Sequence, residues 1–198
     1  NGEWDRRPFG GDRMLSRMKL GIAGLGRLGR MVARYGLCFG MEVAYFDPYV
    51  TESKLAIEKV ETLEALVAGC DVVSIHIPHE KETENLFDRQ VLSKMKPGSY
   101  LINTSRGELV DHDALLDFLV SGRLAGVAMD VFPGEFSPDF DVCSHPLWDY
   151  ARKNDNCLIT PHIGGSTYDA WHLTELHTIE RILEALNKKQ NQGYHGKK

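Results

Sequence analysis

The chain alternates short, almost unbroken apolar runs with stretches of helical period, and this alternation constrains its fold more than any other feature. Buried strands are expected at KLGIAGL (19–25), EVAYF (42–46), AIEKV (56–60), DVVSIHIP (71–78), SYLINT (99–104), LAGVAMDV (124–131) and CLIT (157–160). Between them, helices are predicted over 27–39, 62–69, 88–95 and 111–122, with a last helix over 167–188. Thr62 and Asp111 stand where N-caps belong, and Gly122 where a helix ends. The first helix should present Leu28, Val32 and Tyr35 as its apolar face, while the stretch after 131, rich in Pro, Asp and Phe, reads as a long loop. Strands without a polar face, separated by helices, imply an α/β fold: a doubly wound parallel sheet with helices on both faces. Ligands bind such sheets at the carboxyl ends of the strands. The polar residues just past those ends are Asp47, His76, Thr104–Arg106, Asp130 and His162.

The first strand runs into GLGRLG, Gly24 to Gly29, which has the G-x-G-x-x-G spacing between a strand and a helix. Gly24 permits the tight turn, Gly26 lets backbone approach a pyrophosphate, and Gly29 allows close helix–strand packing. The N–H groups of the helix start, at Arg27 and Leu28, would face the phosphates. Asp47 ends the second strand 18 positions after Gly29, where a carboxylate can hold ribose hydroxyls and repel a 2′-phosphate. The pair of signals makes this a Rossmann-type sheet for NAD rather than NADP; the plainer reading is that Asp47–Pro48 only begins a turn.

Four further residues could carry chemistry. Arg106 follows a buried strand, beside Gly107; it is either a solvated loop residue or a planar fork able to grip a carboxylate at two points. Asp130 ends a strand and Glu135 lies in the loop after it, where an acid could orient a histidine and favour its charged form. His162 sits between Pro161 and the Gly164–Gly165 pair, so it either caps a loop or works at the tip of a strand. His76 and His79 flank Pro78 but have no third ligand at suitable spacing, so no metal is expected. His172 and His177, five apart on the last helix, read as solvated surface.

Bulk properties exclude several classes. A length of 198 residues suits one full-sized core, and a net charge of −5 offers no attraction to nucleic acid. No apolar stretch is long enough to cross a membrane, and the charged N-terminal stretch has no secretory core. Cys38, Cys70, Cys143 and Cys157 form no C-x-x-C pair, which suits reduced thiols in a cytoplasmic protein.

The motifs GLGRLGR, FDPY, DVVSIHIP with Thr83, LINTSRGELVD, GVAMDVFPGE, HPLW and TPHIGGST, in that order, resemble the D-isomer-specific 2-hydroxyacid dehydrogenases, a family that includes D-3-phosphoglycerate dehydrogenases. The resemblance runs from about Lys19 to Leu186. It implies that Arg106 binds the substrate carboxylate, that His162 is the acid/base, and that Glu135 pairs with it. It further implies that Gly24, Gly26, Arg27, Leu28, Gly29 and Asp47 hold NAD. Ile77 and Thr83 match positions on the adenosine and phosphate side; Thr104, Ser105 and Asp130 match positions near the nicotinamide, where Gly164 and Gly165 leave room. Formate dehydrogenases carry Gln at the acid position, so Glu135 points away from that branch. The sequence departs from the pattern around Glu135, where Pro133–Gly134 precede and Phe136 follows, in the long segment between Trp148 and Asn156, and at Trp171.

Family members also have a second, substrate-binding domain. The resemblance therefore implies an interdomain arm over 1–18, an NAD-binding domain over 19–189, a flexible tail over 190–198, and half of an active-site cleft that is poorly active alone. It implies a homodimer formed around GEWDRRPFGG and neighbouring helices, acting on a small 2-hydroxy or 2-oxo acid. An alternative on the same fold is an NAD-sensing, dimeric regulatory protein like the C-terminal-binding corepressors. A homocysteine hydrolase relative is disfavoured by NTSRG and TPHIGG.

Overall fold

The computed structural model describes residues 13–193, with side chains to residue 188. The chain divides into two compact units, Asn1–Pro161 and His162–Lys198, a boundary that falls inside the span 19–189. The expected interdomain arm lies outside the described residues as far as position 12, as does the tail beyond 193.

The first unit is built on β1 (Lys19–Ala23), β2 (Glu42–Phe46), β3 (Glu58–Lys59), β4 (Val72–Ile75), β5 (Ser99–Asn103), β6 (Leu124–Met129) and β7 (Cys157–Ile159). All pairs are parallel, in the order β3-β2-β1-β4-β5-β6-β7. The connections run outward in opposite directions from β1, so the sheet's switch point lies between β1 and β4. The helices are α1 (Arg27–Cys38), α2 (Leu63–Gly69), α3 (Arg89–Ser93), α4 (His112–Val120) and α5 (Pro146–Ala151).

Side chains alternate across β1, and the two faces meet different helices. Leu20 and Ile22 pack with Ala33 of α1, Val43 and Tyr45. Ala23 packs with Leu63 and Leu66 of α2 in the larger core, which continues through Val73, Leu92, Leu101, Leu115 and Leu147. The doubly wound α/β arrangement with helices on both faces is therefore the one observed, though unequally filled: α2 to α5 share one face. On the other face Tyr100 and Leu158 are exposed. Capping follows the sequence closely: Thr62 accepts from Ala65 N, Asp88 from Val91 N and Asp111 from Ala114 N.

Three expectations are corrected. The buried positions of α1 are Gly29, Ala33 and Gly36, whereas Leu28 and Tyr35 are about half exposed. The helix lies so close to the sheet that a Cβ on Gly36 would stand 2.7 Å from Leu20 Cδ2, which only a small-residue face permits. The loop after 131 contains a helix, α5, because Pro146 opens it and His145 Nδ1 accepts from Leu147 N as its cap. Strands also stop earlier than their apolar runs: β1 ends at Ala23 because Gly24 turns with φ +92°.

The second unit contains α6 (Tyr168–Gly193), longer than the expected 167–188, with Thr167 Oγ1 accepting from Ala170 N at its start. Among the described residues no helix is long and apolar enough to cross a membrane. The four cysteines are free thiols, Cys70 and Cys157 being buried.

Candidate functional site

At the switch point the three glycines do different work. Gly24 N donates to Phe46 O at 2.9 Å, and a Cβ there would lie 2.7 Å from the His76 carbonyl. A Cβ on Gly29 would stand 2.0 Å from the Gly24 carbonyl, so helix and turn touch backbone to backbone. Gly26 has open space around the position of a Cβ and caps α1 with no side chain. The first-turn N–H groups of α1, at the exposed Arg27 and Leu28, thus stand at an open surface with the positive end of the helix dipole. Asp47 is buried beside them. Its Oδ2 accepts from Leu25 N at 2.7 Å, inside the glycine turn, and Oδ1 accepts from Tyr49 N and Val50 N. A carboxylate accepts about four hydrogen bonds, so the turn that Asp47–Pro48 begins and a ribose hydroxyl can share this group.

The next rim of the site is the 76–83 segment. Ile77 packs against Gly24, its Cγ1 3.1 Å from where a Cβ would be. Thr83 Oγ1 accepts from Glu80 N at 2.8 Å and lies 2.9 Å from Pro78 O, so its hydroxyl closes this turn. His76 Nε2 lies 2.9 Å from Ser74 Oγ, and burial pushes its pKa down to about 4.

After β5, the buried Asn103 shapes the arginine turn. Its Oδ1 accepts from Ser105 N at 3.0 Å and its Nδ2 donates to Arg106 O at 2.8 Å. Ser105 Oγ donates to Ile77 O, tying this turn to the previous rim, while Thr104 and the Arg106 side chain are exposed. After β6, Asp130 is buried and Oδ1 accepts from Thr160 Oγ1. Glu135 is half-buried in a turn of its own: its N–H reaches Phe132 O and its Oε2 lies near Phe132 N, both at 3.4 Å. The structure brings Gly24, Gly26, Gly29, Arg27, Leu28, Asp47 and Ile77 together around one turn, and Thr104, Ser105, Arg106, Asp130 and Glu135 at the ends of β5 and β6.

His162, Gly164 and Gly165 belong to the second unit. His162 has φ +52°, a left-handed backbone that few non-glycine residues adopt, and it opens a turn closed by Ser166 N donating to Ile163 O at 3.0 Å.

Sequence reasoning missed Asn103, Glu108, Thr160 and Ser74. Asn103 alone had a readable signal, since an Asn at a strand end favours a turn closed by its side chain on the N–H two residues later. Glu108 and Thr160 act through contacts between distant segments, and Ser74 through a contact with His76.

Comparison with known proteins adds an independent line. The family model described as D-isomer specific 2-hydroxyacid dehydrogenase, NAD binding domain, matches residues 1–164. A hydroxypyruvate reductase of Thermotoga maritima is 34% identical over 185 residues, covering 93% of this chain and 58% of the relative. A D-3-phosphoglycerate dehydrogenase of Escherichia coli K12 is 41% identical over 169 residues, covering 84% of this chain and 40% of the relative. The chain thus spans little more than half of the first relative and less than half of the second. Among solved structures, a D-lactate dehydrogenase from Aquifex aeolicus, complexed with NAD and lactic acid, superposes with a TM-score of 0.77 at 34% identity, covering 91% of this chain and 56% of that one.

Proposed function

This chain belongs to the D-isomer-specific 2-hydroxyacid dehydrogenase family, as an NAD-binding domain, and we propose that it serves an enzyme interconverting D-2-hydroxy and 2-oxo acids. The observation that carries this reading is the glycine turn: an open Gly26 face, an uncapped helix start, and Asp47 hydrogen-bonded into the same turn. These residues fit a dinucleotide. The α1 N–H groups suit its pyrophosphate, and the Asp47 carboxylate suits a free ribose diol over a 2′-phosphate.

When bound as NADH, the cofactor supplies hydride for C2 of the 2-oxo acid. The chain's own residues do the rest. Arg106 grips the substrate carboxylate and polarises its carbonyl, and its exposed guanidinium at the end of β5 supports that role. His162 donates the proton that the carbonyl oxygen takes up, and Glu135 favours the charged imidazole. Thr104, Ser105, Asp130, Gly164 and Gly165 line the nicotinamide side, and Ile77 and Thr83 the adenosine side. Residues 19–189 act as the cofactor-binding part, and the substrate's other face is met by a second domain. The molecule works as a homodimer in the cytoplasm, the exposed Tyr100 and Leu158 face being one apolar surface available for association.

Calorimetric titration with NADH and NADPH, followed by turnover on a panel of 2-oxo acids, tests the reading. NADH should bind at least about tenfold more tightly, a difference of 1.4 kcal/mol. Equal or tighter NADPH binding would refute the role of Asp47, and no turnover of any 2-oxo acid by the full-length protein would refute the activity.

A further inference from the structure

Arg106, proposed to grip the substrate, and Glu135, proposed to favour the charged imidazole, stand on two separate loops, and the structure shows what joins them. Gly107 is pressed against the second loop: a Cβ there would lie 2.1 Å from Phe132 C and 2.2 Å from Pro133 N. The next residue, Glu108, reaches across, and its Oε1 accepts the Gly134 N–H at 2.9 Å. Gly134 is in the left-handed region, φ +70°, and immediately precedes Glu135. Within that turn the Glu135 N–H to Phe132 O and Phe132 N–H to Glu135 Oε2 contacts are both 3.4 Å, longer than the 2.9 Å bond to Glu108. Glu108 is itself anchored, because its carbonyl accepts from Asn85 N at 2.8 Å and the following Leu109 carbonyl from Phe87 N at 2.9 Å.

We propose that Glu108 is a positioning residue, which sets the spacing of Arg106 and Glu135 by holding the Gly134 N–H. The proposal rests on the catalytic reading above for its effect on turnover, but its geometry does not depend on it. Burial works to raise the Glu108 carboxyl's pKa. The Gly134 and Glu108 N–H groups, with the charges of His79 and Arg106, outweigh it and hold the pKa below the ordinary value. The acceptor is therefore a carboxylate at neutral pH, and such charge-assisted bonds are the stronger kind. Arg106 has separate supports from Asn103, so losing Glu108 should release the Glu135 loop more than the arginine turn.

The test compares Glu108→Ala with Glu108→Gln, whose amide oxygen can still accept from Gly134. In the full-length protein, Glu108→Ala should lower kcat for 2-oxo acid reduction about tenfold, the scale of one such hydrogen bond. The KM for the 2-oxo acid and the Kd for NADH should stay within about threefold, and Glu108→Gln should recover most of kcat. Hydrogen exchange reads the same contact without turnover: the Gly134 amide should be protected in the parent and in Glu108→Gln, and should lose protection in Glu108→Ala. Unchanged kcat in Glu108→Ala, a Gln variant as damaged as the Ala variant, or a Gly134 amide that exchanges equally fast in parent and Glu108→Ala would each overturn the proposal. If the parent turns over no 2-oxo acid, the catalytic reading fails, and the exchange comparison alone decides the role of Glu108.

Discussion

Acidification should unfold this domain earlier than its carboxylates alone would require, because one buried and one half-buried histidine are held neutral. His76 sits at the end of β4, and His112 at the start of α4 is packed edge-on against Phe132 and His145. His145 Nδ1 accepts from Leu147 N, so its proton is on Nε2, 3.3 Å from His112 Nδ1. His112 then carries its own proton on the buried Nε2. The Gly107 carbonyl, Glu108 and Asp111 favour a charged ring, but burial and His145 prevail and push the pKa down to about 4. Burial alone does the same to His76.

Each histidine titrates at 6.5 when unfolded and at about 4 when folded. The unfolded chain therefore binds more protons below 6.5. Stability is intact above that pH and is lost as pH falls towards 4. At 1.36 kcal/mol per pKa unit the full loss is about 3 kcal/mol per histidine. At pH 5 linkage gives about 2 kcal/mol each, or about 4 kcal/mol for the pair. That is a large part of the roughly 5–15 kcal/mol by which domains of this size are stable. Urea unfolding followed by circular dichroism at pH 7.5 and pH 5.0 reads it directly. With an m-value of about 2 kcal/mol/M, the midpoint should fall by about 2 M. His112→Phe, which keeps the aromatic contact with Phe132, should show about half that fall. A parent midpoint moving by less than about 0.3 M, or a His112→Phe variant tracking the parent, would refute the reasoning.

Other outcomes follow from contacts already described. Gly107→Ala places a methyl 2.1 Å from the Phe132 carbonyl carbon and should cost about 3 kcal/mol or more in chemical denaturation; a cost below about 0.5 kcal/mol would mean that the two loops move apart freely. Gly29→Ala, whose methyl would meet the Gly24 carbonyl at 2.0 Å, should abolish NADH binding by calorimetry, and retained affinity would show that the turn is not the cofactor's seat. Sedimentation at tens of micromolar should show a two-fold dimer; a lone monomer at about that concentration would count against the association proposed for this domain.

Much of the molecule was legible in order along the chain. Near-continuous apolar runs dictated parallel, doubly covered strands, because only a sheet shielded on both faces can bury them. GLGRLG and Asp47 were readable for the same local reason, since the backbone needs glycine where φ is +92° at Gly24 and where Gly29 meets the Gly24 carbonyl. The carboxyl-end rule then pointed to Thr104–Arg106 and Asp130 just past the ends of β5 and β6. Other features arose only on folding. The choice of Gly29, Ala33 and Gly36 as the inward face of α1, over the larger Leu28 and Tyr35, depends on how closely the helix approaches β1. Periodicity reports which positions share a face, but not how much room the neighbouring sheet leaves. The helix α5 depends on a histidine cap, and the Glu108–Gly134 and Asp130–Thr160 bonds join residues 26 and 30 positions apart. A bond between distant segments carries no local pattern, because either partner could make an ordinary solvated side chain until the sheet brings their loops to one edge.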